Sequence, residues 1–190
     1  MIVGLSTSSP LVSVALFNFQ GELIDSREKS APQAASSAVL ILLEELLEEH
    51  KSSLKNIKGF ISDAGPGSFT GVKVGVTLTK TFGFALDVQV AGVPSFDLIA
   101  TDQNVAVPIQ KGHYVLRKTG ENPEACSLIP AETVGYGLDF ETQNYPHASR
   151  IVELFGNLKW ISAFELLPYY VLDPNISKPK KPFNLLSNQL

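Results

Sequence analysis

The chain has a single cysteine, Cys126, so it cannot close an intramolecular disulfide, and a zinc site built on several thiolates is excluded. Its three histidines, His50, His113 and His147, are too scattered to form a His-x-x-x-His or His-Glu-x-x-His pair, and no metal site is expected. No apolar run reaches the length of a membrane span. The opening Met1-Ile2-Val3-Gly4-Leu5 lacks the basic region and small-residue cleavage site of a signal peptide. A soluble, reducing, cytoplasmic setting is the expectation. Basic charge is also scarce. The net charge is −4, with 7 Lys and Arg against 10 Asp and Glu in residues 1–100 and 8 against 9 in residues 101–190. Neither half has the surplus that a protein gripping nucleic acid through its own phosphate contacts would carry. Lys178, Lys180 and Lys181 form a local basic cluster among prolines and read as a solvated segment.

What is present is a sizeable apolar fraction, 44%, enough for a real core. Alternation and turn signals give strands at Ile2–Leu5, Val12–Phe17 and about Leu23–Arg27, a β-meander. A helix over Gln33–His50 follows, with Val39, Leu40, Leu42, Leu43, Leu46 and Leu47 on one side and Glu44, Glu45, Glu48 and Glu49 on the other. Such a helix packs on a sheet; its wide apolar arc leaves room for a second contact outside the domain. A strand at Gly59–Ala64, a helix over Ser68–Leu86, a strand at Val88–Val93 and a short helix over Pro94–Ala100, capped by Ser95, complete the order βββαβαβ. The second half is less regular. Strands are read at Val105–Ile109, His113–Thr119 and Ala125–Ile129, a helix over His147–Leu158 and an extended segment from Pro168 through Pro182. The expected division is an N-terminal α/β lobe, 1–100, and a smaller C-terminal lobe, 101–190.

The most informative stretch is Gly65-Pro66-Gly67-Ser68-Phe69-Thr70-Gly71-Val72-Lys73-Val74-Gly75, a glycine-rich turn that opens the second helix. Its small residues bring backbone close to a neighbour, which is either a phosphate at the helix N-terminus or another helix. On the first reading Gly65, Gly67, Ser68, Thr70 and Gly71 are weak candidates to bind a cofactor. The segment is not a Walker loop, because Val72 rather than Lys follows Gly71, and no Gly-x-Ser-x-Gly passes through Ser68. The helix beyond is apolar nearly all round, with Lys73 and Lys80 on one stripe with Thr77, so it must be covered nearly all round. A partner helix approaching at Gly71 and Gly75 is a reasonable supplier of that cover. Ser6 stands where a nucleotide-binding hairpin would want a metal-holding carboxylate, and Asp63 and Asp97 are acids without a clear constellation. No catalytic assignment follows.

The Ile2–Leu16 hairpin, Gly65–Gly75, Gly92-Val93-Pro94-Ser95-Phe96 and Pro168-Tyr169-Tyr170-Val171 together resemble the TsaB (YeaZ) family, bacterial proteins needed for the threonylcarbamoyladenosine modification of tRNA. The resemblance is firm over about half the chain. It implies an α/β fold of the actin-like ATPase (ASKHA) kind, two lobes with mixed sheets flanked by helices and the second lobe reduced. It also implies a non-catalytic scaffold that pairs with a TsaD-like catalytic subunit, is bound by a TsaE-like ATPase and meets tRNA indirectly. A homodimer is a competing assembly. No cofactor is implied for the isolated chain, although ATP or ADP at the partner interface is an open expectation. The family's docking helices fall on Gln33–His50 and Ser68–Leu86, which makes Val39, Leu42, Leu43, Leu46, Phe69, Val72, Lys73, Val76 and Lys80 the expected partner-binding residues. The departures are Ser6-Thr7-Ser8 in place of Asp-Thr-Ser, Ser36-Ser37 in place of His-Ser, and Ile109-Gln110-Lys111-Gly112 in place of Asp-Ala-Arg. A divergent ATPase or phosphotransferase of the same fold is the alternative. An older metalloprotease label on related proteins finds no metal-ligand spacing here.

Overall fold

The computed structural model describes residues 1–171, so the Lys178–Lys181 cluster and most of the Pro168–Pro182 segment lie outside the described residues. Strands β1 (Ile2–Ser6), β2 (Leu11–Phe17) and β3 (Leu23–Ser30) form the expected antiparallel meander. Helix α1 (Ala35–Glu49), β4 (Gly59–Asp63), α2 (Phe69–Leu86) and β5 (Gln89–Val93) follow, with β4 parallel to both β1 and β5. The sheet order is β3-β2-β1-β4-β5. Each strand alternates its side chains between two faces. Val3, Leu5, Val12, Val14, Leu16, Phe60 and Val90 meet the helices in one core. Ile2, Ala15, Phe17, Ile61, Ala91 and Val93 form a second core on the opposite face.

That opposite face is covered by a later segment. Ala148 and Ile151 are fully buried against it, and a Cβ on Gly4 would stand 2.4 Å from the Ile151 side chain. The expected helix over His147–Leu158 is broken into a 3-10 turn at Ala148–Arg150, one helical turn, α3 (Ile151–Leu154), and another 3-10 turn at Phe155–Asn157. The cause is anchoring: His147 N–H donates to Leu98 O at 3.0 Å and Ala148 N–H to Ser13 Oγ at 2.9 Å, which fixes the entry of the segment on the sheet. Residues 159–169 then cross α2, where Ala163 and Leu166 enter the core shared with both helices.

Strands β6 (Asn104–Gln110), β7 (His113–Arg117), β8 (Glu124–Cys126) and β9 (Thr133–Gly135) make a second sheet in the order β8-β7-β6-β9. Its first two pairings are antiparallel and β6–β9 is parallel, so it repeats the polarity of β1 through β4. In the first sheet α1 carries the chain between the antiparallel and the parallel edge; in the second, residues 127–132 do so without a helix. Strand β9 was not foreseen and β8 is shorter than the expected Ala125–Ile129, because without a helix to pack on these edges need little apolar sequence. Pro94–Ala100 is a set of turns rather than a capped helix. Ser95 N–H is held by Gly65 O at 2.9 Å and its hydroxyl is turned to Asp63, so no cap is available.

Candidate functional site

Three loops meet where β1, β4 and β5 end. Ser6 closes β1, Thr7 and Ser8 lead into the hairpin turn, Asp63 closes β4, and Ser95 follows β5. Asp63 is wholly buried and its carboxylate is their common acceptor. Ser6 Oγ donates to Oδ2 at 2.7 Å, Ser8 Oγ donates to the same oxygen, Ser95 Oγ donates to Oδ1, and Gly65 N–H donates to Oδ1 at 3.0 Å. Burial pushes the carboxyl above its ordinary range, against the opposing pull of the serine hydroxyls and the amide. The clustering of Ser6, Ser8 and Ser9 before a proline and of Asp63 before a Gly-Pro-Gly turn was visible in the sequence. Their convergence on one carboxylate was not.

The glycine-rich turn does approach a neighbour closely, and that neighbour is the chain's own hairpin. A Cβ on Gly71 would stand 2.0 Å from Thr7 O, and one on Gly67, whose φ is +159, 2.5 Å from Ser8 O. At Gly75 the obstacle is Thr7 Oγ1 at 2.6 Å. Thr7 Oγ1 also donates to Gly71 O at 2.7 Å, and Ser68 N–H donates to Ser8 O at 2.7 Å. Ser68 caps α2 by accepting from Gly71 N–H. The expected close approach of a partner helix at Gly71 and Gly75 is therefore corrected: helix packs on hairpin backbone there.

Between the two sheets opens a cleft of about 560 Å³, walled by Ser8, Ser68, Phe69 and Thr70 on one side and by Gln110, Lys111, Tyr114, Tyr136, Gln143 and Tyr145 on the other. Tyr136 stacks obliquely on Tyr145 with centroids 5.1 Å apart, and its hydroxyl reaches Ser8 O at 3.4 Å. Of the five cofactor candidates, Ser68 and Thr70 line the cleft; Gly65, Gly67 and Gly71 lie behind it, against Val72 and the hairpin. The actin-like fold implies a metal–nucleotide between its sheets, and the donor set does not fit one. Among the described residues no carboxylate lines this cleft. Asp63 is enclosed by its serines, and the Ser68 amide that a phosphate would use is spent on Ser8 O. Among the described residues there is also no group of three or more His, Cys, Asp or Glu placed to hold a metal.

The expected partner-binding residues divide sharply. Val39, Leu42, Leu43 and Leu46 of α1 and Val72 and Val76 of α2 are buried in the chain's own core and present almost no surface. These six are corrected from docking to packing residues, because the first sheet and the 159–169 segment use both helices' apolar arcs. Phe69 and Lys73 are exposed, with the Lys73 ammonium 4.6 Å from the Phe69 ring centroid. Lys80 is half-buried and ties down the crossing segment by donating to Leu166 O at 3.0 Å and Phe164 O at 3.4 Å. The surface that remains on α2 is Phe69, Thr70, Lys73, Thr77, Thr81, Phe84 and Ala85; on α1 it includes Leu40 and Ile41, each 44% exposed. Phe84 packs edge-on against Phe164, also exposed.

The family model for TsaD, tRNA N6-adenosine threonylcarbamoyltransferase, matches residues 28–114. A Bacillus subtilis tRNA threonylcarbamoyladenosine biosynthesis protein TsaB is 30% identical over 104 residues, 53% of this chain and 44% of that protein. The Escherichia coli TsaB is 25% identical over 99 residues, 52% of this chain and 42% of that protein. The chain thus spans less than half the length of these curated relatives in the matched region. Among solved structures, a Pseudomonas aeruginosa protein described as similar to peptidase YeaZ superposes with a TM-score of 0.76 at 19% identity, covering 90% of this chain and 99% of that one. YeaZ from the same organism gives 0.72 at 20% identity, covering 89% and 99%. The two mixed sheets, the first flanked by helices, fit the actin-like ASKHA α/β arrangement. The chain is thus similar to TsaB proteins over about half its length, and it shares the fold of the YeaZ structures over about nine-tenths of it.

Proposed function

We propose that this chain serves threonylcarbamoyladenosine formation on tRNA as a non-catalytic scaffold that docks a TsaD-like catalytic subunit through α1 and α2, in the cytoplasm. The observation that carries this reading is the surface these helices leave uncovered after their arcs are packed: Leu40 and Ile41 on α1, and the small, hydroxyl-rich face of Thr77, Thr81 and Ala85 beside Lys73 on α2. Small residues let a partner helix come close, and the two aliphatic side chains offer it apolar contact. The same uncovered face would also serve a competing homodimer, in which it meets its own copy. A TsaE-like ATPase joins the pair, and tRNA is reached through the partner.

A nucleotide at the partner interface would draw its metal ligands from the other subunit, since this chain's cleft wall offers none among the described residues. The test is co-purification with the TsaD-like subunit of the same cell. A stable complex at micromolar concentration and restored modification in vitro are expected; components that elute separately would refute the scaffold. The alternative, a divergent ATPase or phosphotransferase, rests on the hydroxyls of Ser68 and Thr70 on the cleft wall. It requires Mg²⁺-dependent ATP turnover by the isolated chain that Thr70→Ala removes without unfolding.

A further inference from the structure

Asp63 has no exposed surface, and among the described residues no Lys or Arg acts on it. A buried carboxyl without a cation is costly unless hydrogen bonds replace water on both oxygens. Here each oxygen has two donors. Ser6 and Ser8 donate to one oxygen, and Ser95 and the Gly65 amide donate to the other. Converging hydroxyls and a backbone N–H around a planar two-oxygen acceptor are what a protein builds to hold a small carboxylate or oxyanion. We propose that the ends of β1, β4 and β5 form an anion-binding cradle whose resident ligand is the chain's own Asp63 carboxylate, and that this internal anion sets the positions of the cleft loops and of the α2 N-terminus.

The connections give the cradle its reach. Ser8, held by Asp63 through its hydroxyl, uses its carbonyl to accept the Ser68 N–H at 2.7 Å and the Tyr136 hydroxyl at 3.4 Å. Ser68 is the cap of α2, and Tyr136 belongs to the second sheet's side of the cleft. Asp63 is therefore a positioning residue: it acts on helix start and cleft wall through Ser8. Ser95, also held by Asp63, fixes the turns that lead into the second sheet. A side chain that merely filled space would have no use for two oxygens with two donors each.

Two variants test the cradle without reference to any partner. Asp63→Asn keeps the shape but replaces one acceptor oxygen with a donor facing two hydroxyls. It should fold, with amide exchange over residues 65–70 and 95–100 faster by about tenfold or more and β3 unchanged. Asp63→Ala leaves the cradle empty and should melt roughly 10 °C lower. Sodium formate should then restore at least about half of that loss, while sodium chloride at equal ionic strength should not and formate should leave the wild type unmoved. Wild-type exchange rates in Asp63→Asn, or an equal formate effect on Asp63→Ala and wild type, would overturn the proposal. If Asp63→Ala yields no folded protein, the exchange rates of Asp63→Asn decide alone.

Discussion

At the scale of single residues, Gly71 and Asp63 carry opposite lessons. Gly71 is required by steric exclusion: Thr7 O occupies the space a side chain would take. Gly71→Ala must push hairpin from helix and should cost about 2–3 kcal/mol, read as a lowered midpoint in urea with the slope retained. Gly75→Leu collides with Thr7 Oγ1 in the same way, so its effect reports on folding and cannot isolate docking. Asp63 is instead governed by burial, which raises its carboxyl above the unfolded value. A folded-state pKa above the unfolded one means that the native state binds the proton more tightly. Stability is thus fully present below the unfolded pKa and declines as pH rises through the folded value. Urea midpoints measured from acid to neutral pH should show that decline in the wild type and lack it in Asp63→Asn; parallel curves would remove the assignment.

Among elements, α2 decides most. Its buried side is packed by the first sheet and by residues 159–169, and its outward side is left with threonines, Ala85 and Lys73. Thr77→Arg projects a long charged side chain from the middle of that outward side. It should weaken association with a TsaD-like subunit by about tenfold or more, measured by titration calorimetry, and leave the melting temperature within about 2 °C of wild type. The crossing segment is itself held by Lys80, whose ammonium meets two of its carbonyls. Lys80→Met keeps the apolar stem and removes those bonds. A loss of about 1 kcal/mol is expected, with faster exchange confined to residues 161–167.

For the molecule as a whole, the second sheet repeats the order and polarity of β1 through β4, but the two sheets differ in what covers them. The first has helices on one face and the 148–160 segment on the other. The second has a core on one face built with Phe96, Ile99 and Ala100, and a small cluster of Ala106, Tyr114 and Leu116 on the other. The sheets communicate across the cleft through Tyr136, whose hydroxyl bond to Ser8 O is long. Tyr136→Phe should therefore cost less than about 1 kcal/mol in thermal unfolding. A much larger loss would make that bond the main tie between the sheets. Among the described residues no helix is long and apolar enough to cross a membrane.

The order of β1 through β5 with α1 and α2 was legible because alternation and helical spacing are local properties of sequence. Val12, Val14 and Leu16 mark one strand face, and Leu42, Leu43 and Leu46 one helix face, whatever lies opposite. The glycine-rich signature likewise announced a close approach and carried the resemblance to TsaB proteins. What lay opposite each face was decided in three dimensions. Gly71 meets its own hairpin, Val72 and Val76 meet their own core, and Ala163 and Leu166 return from far along the chain to cover α2. The same is true of Asp63, whose serines come from positions 6, 8 and 95. Local periodicity states how much surface must be hidden; only long-range packing, which sequence neighbours do not encode, assigns the group that hides it.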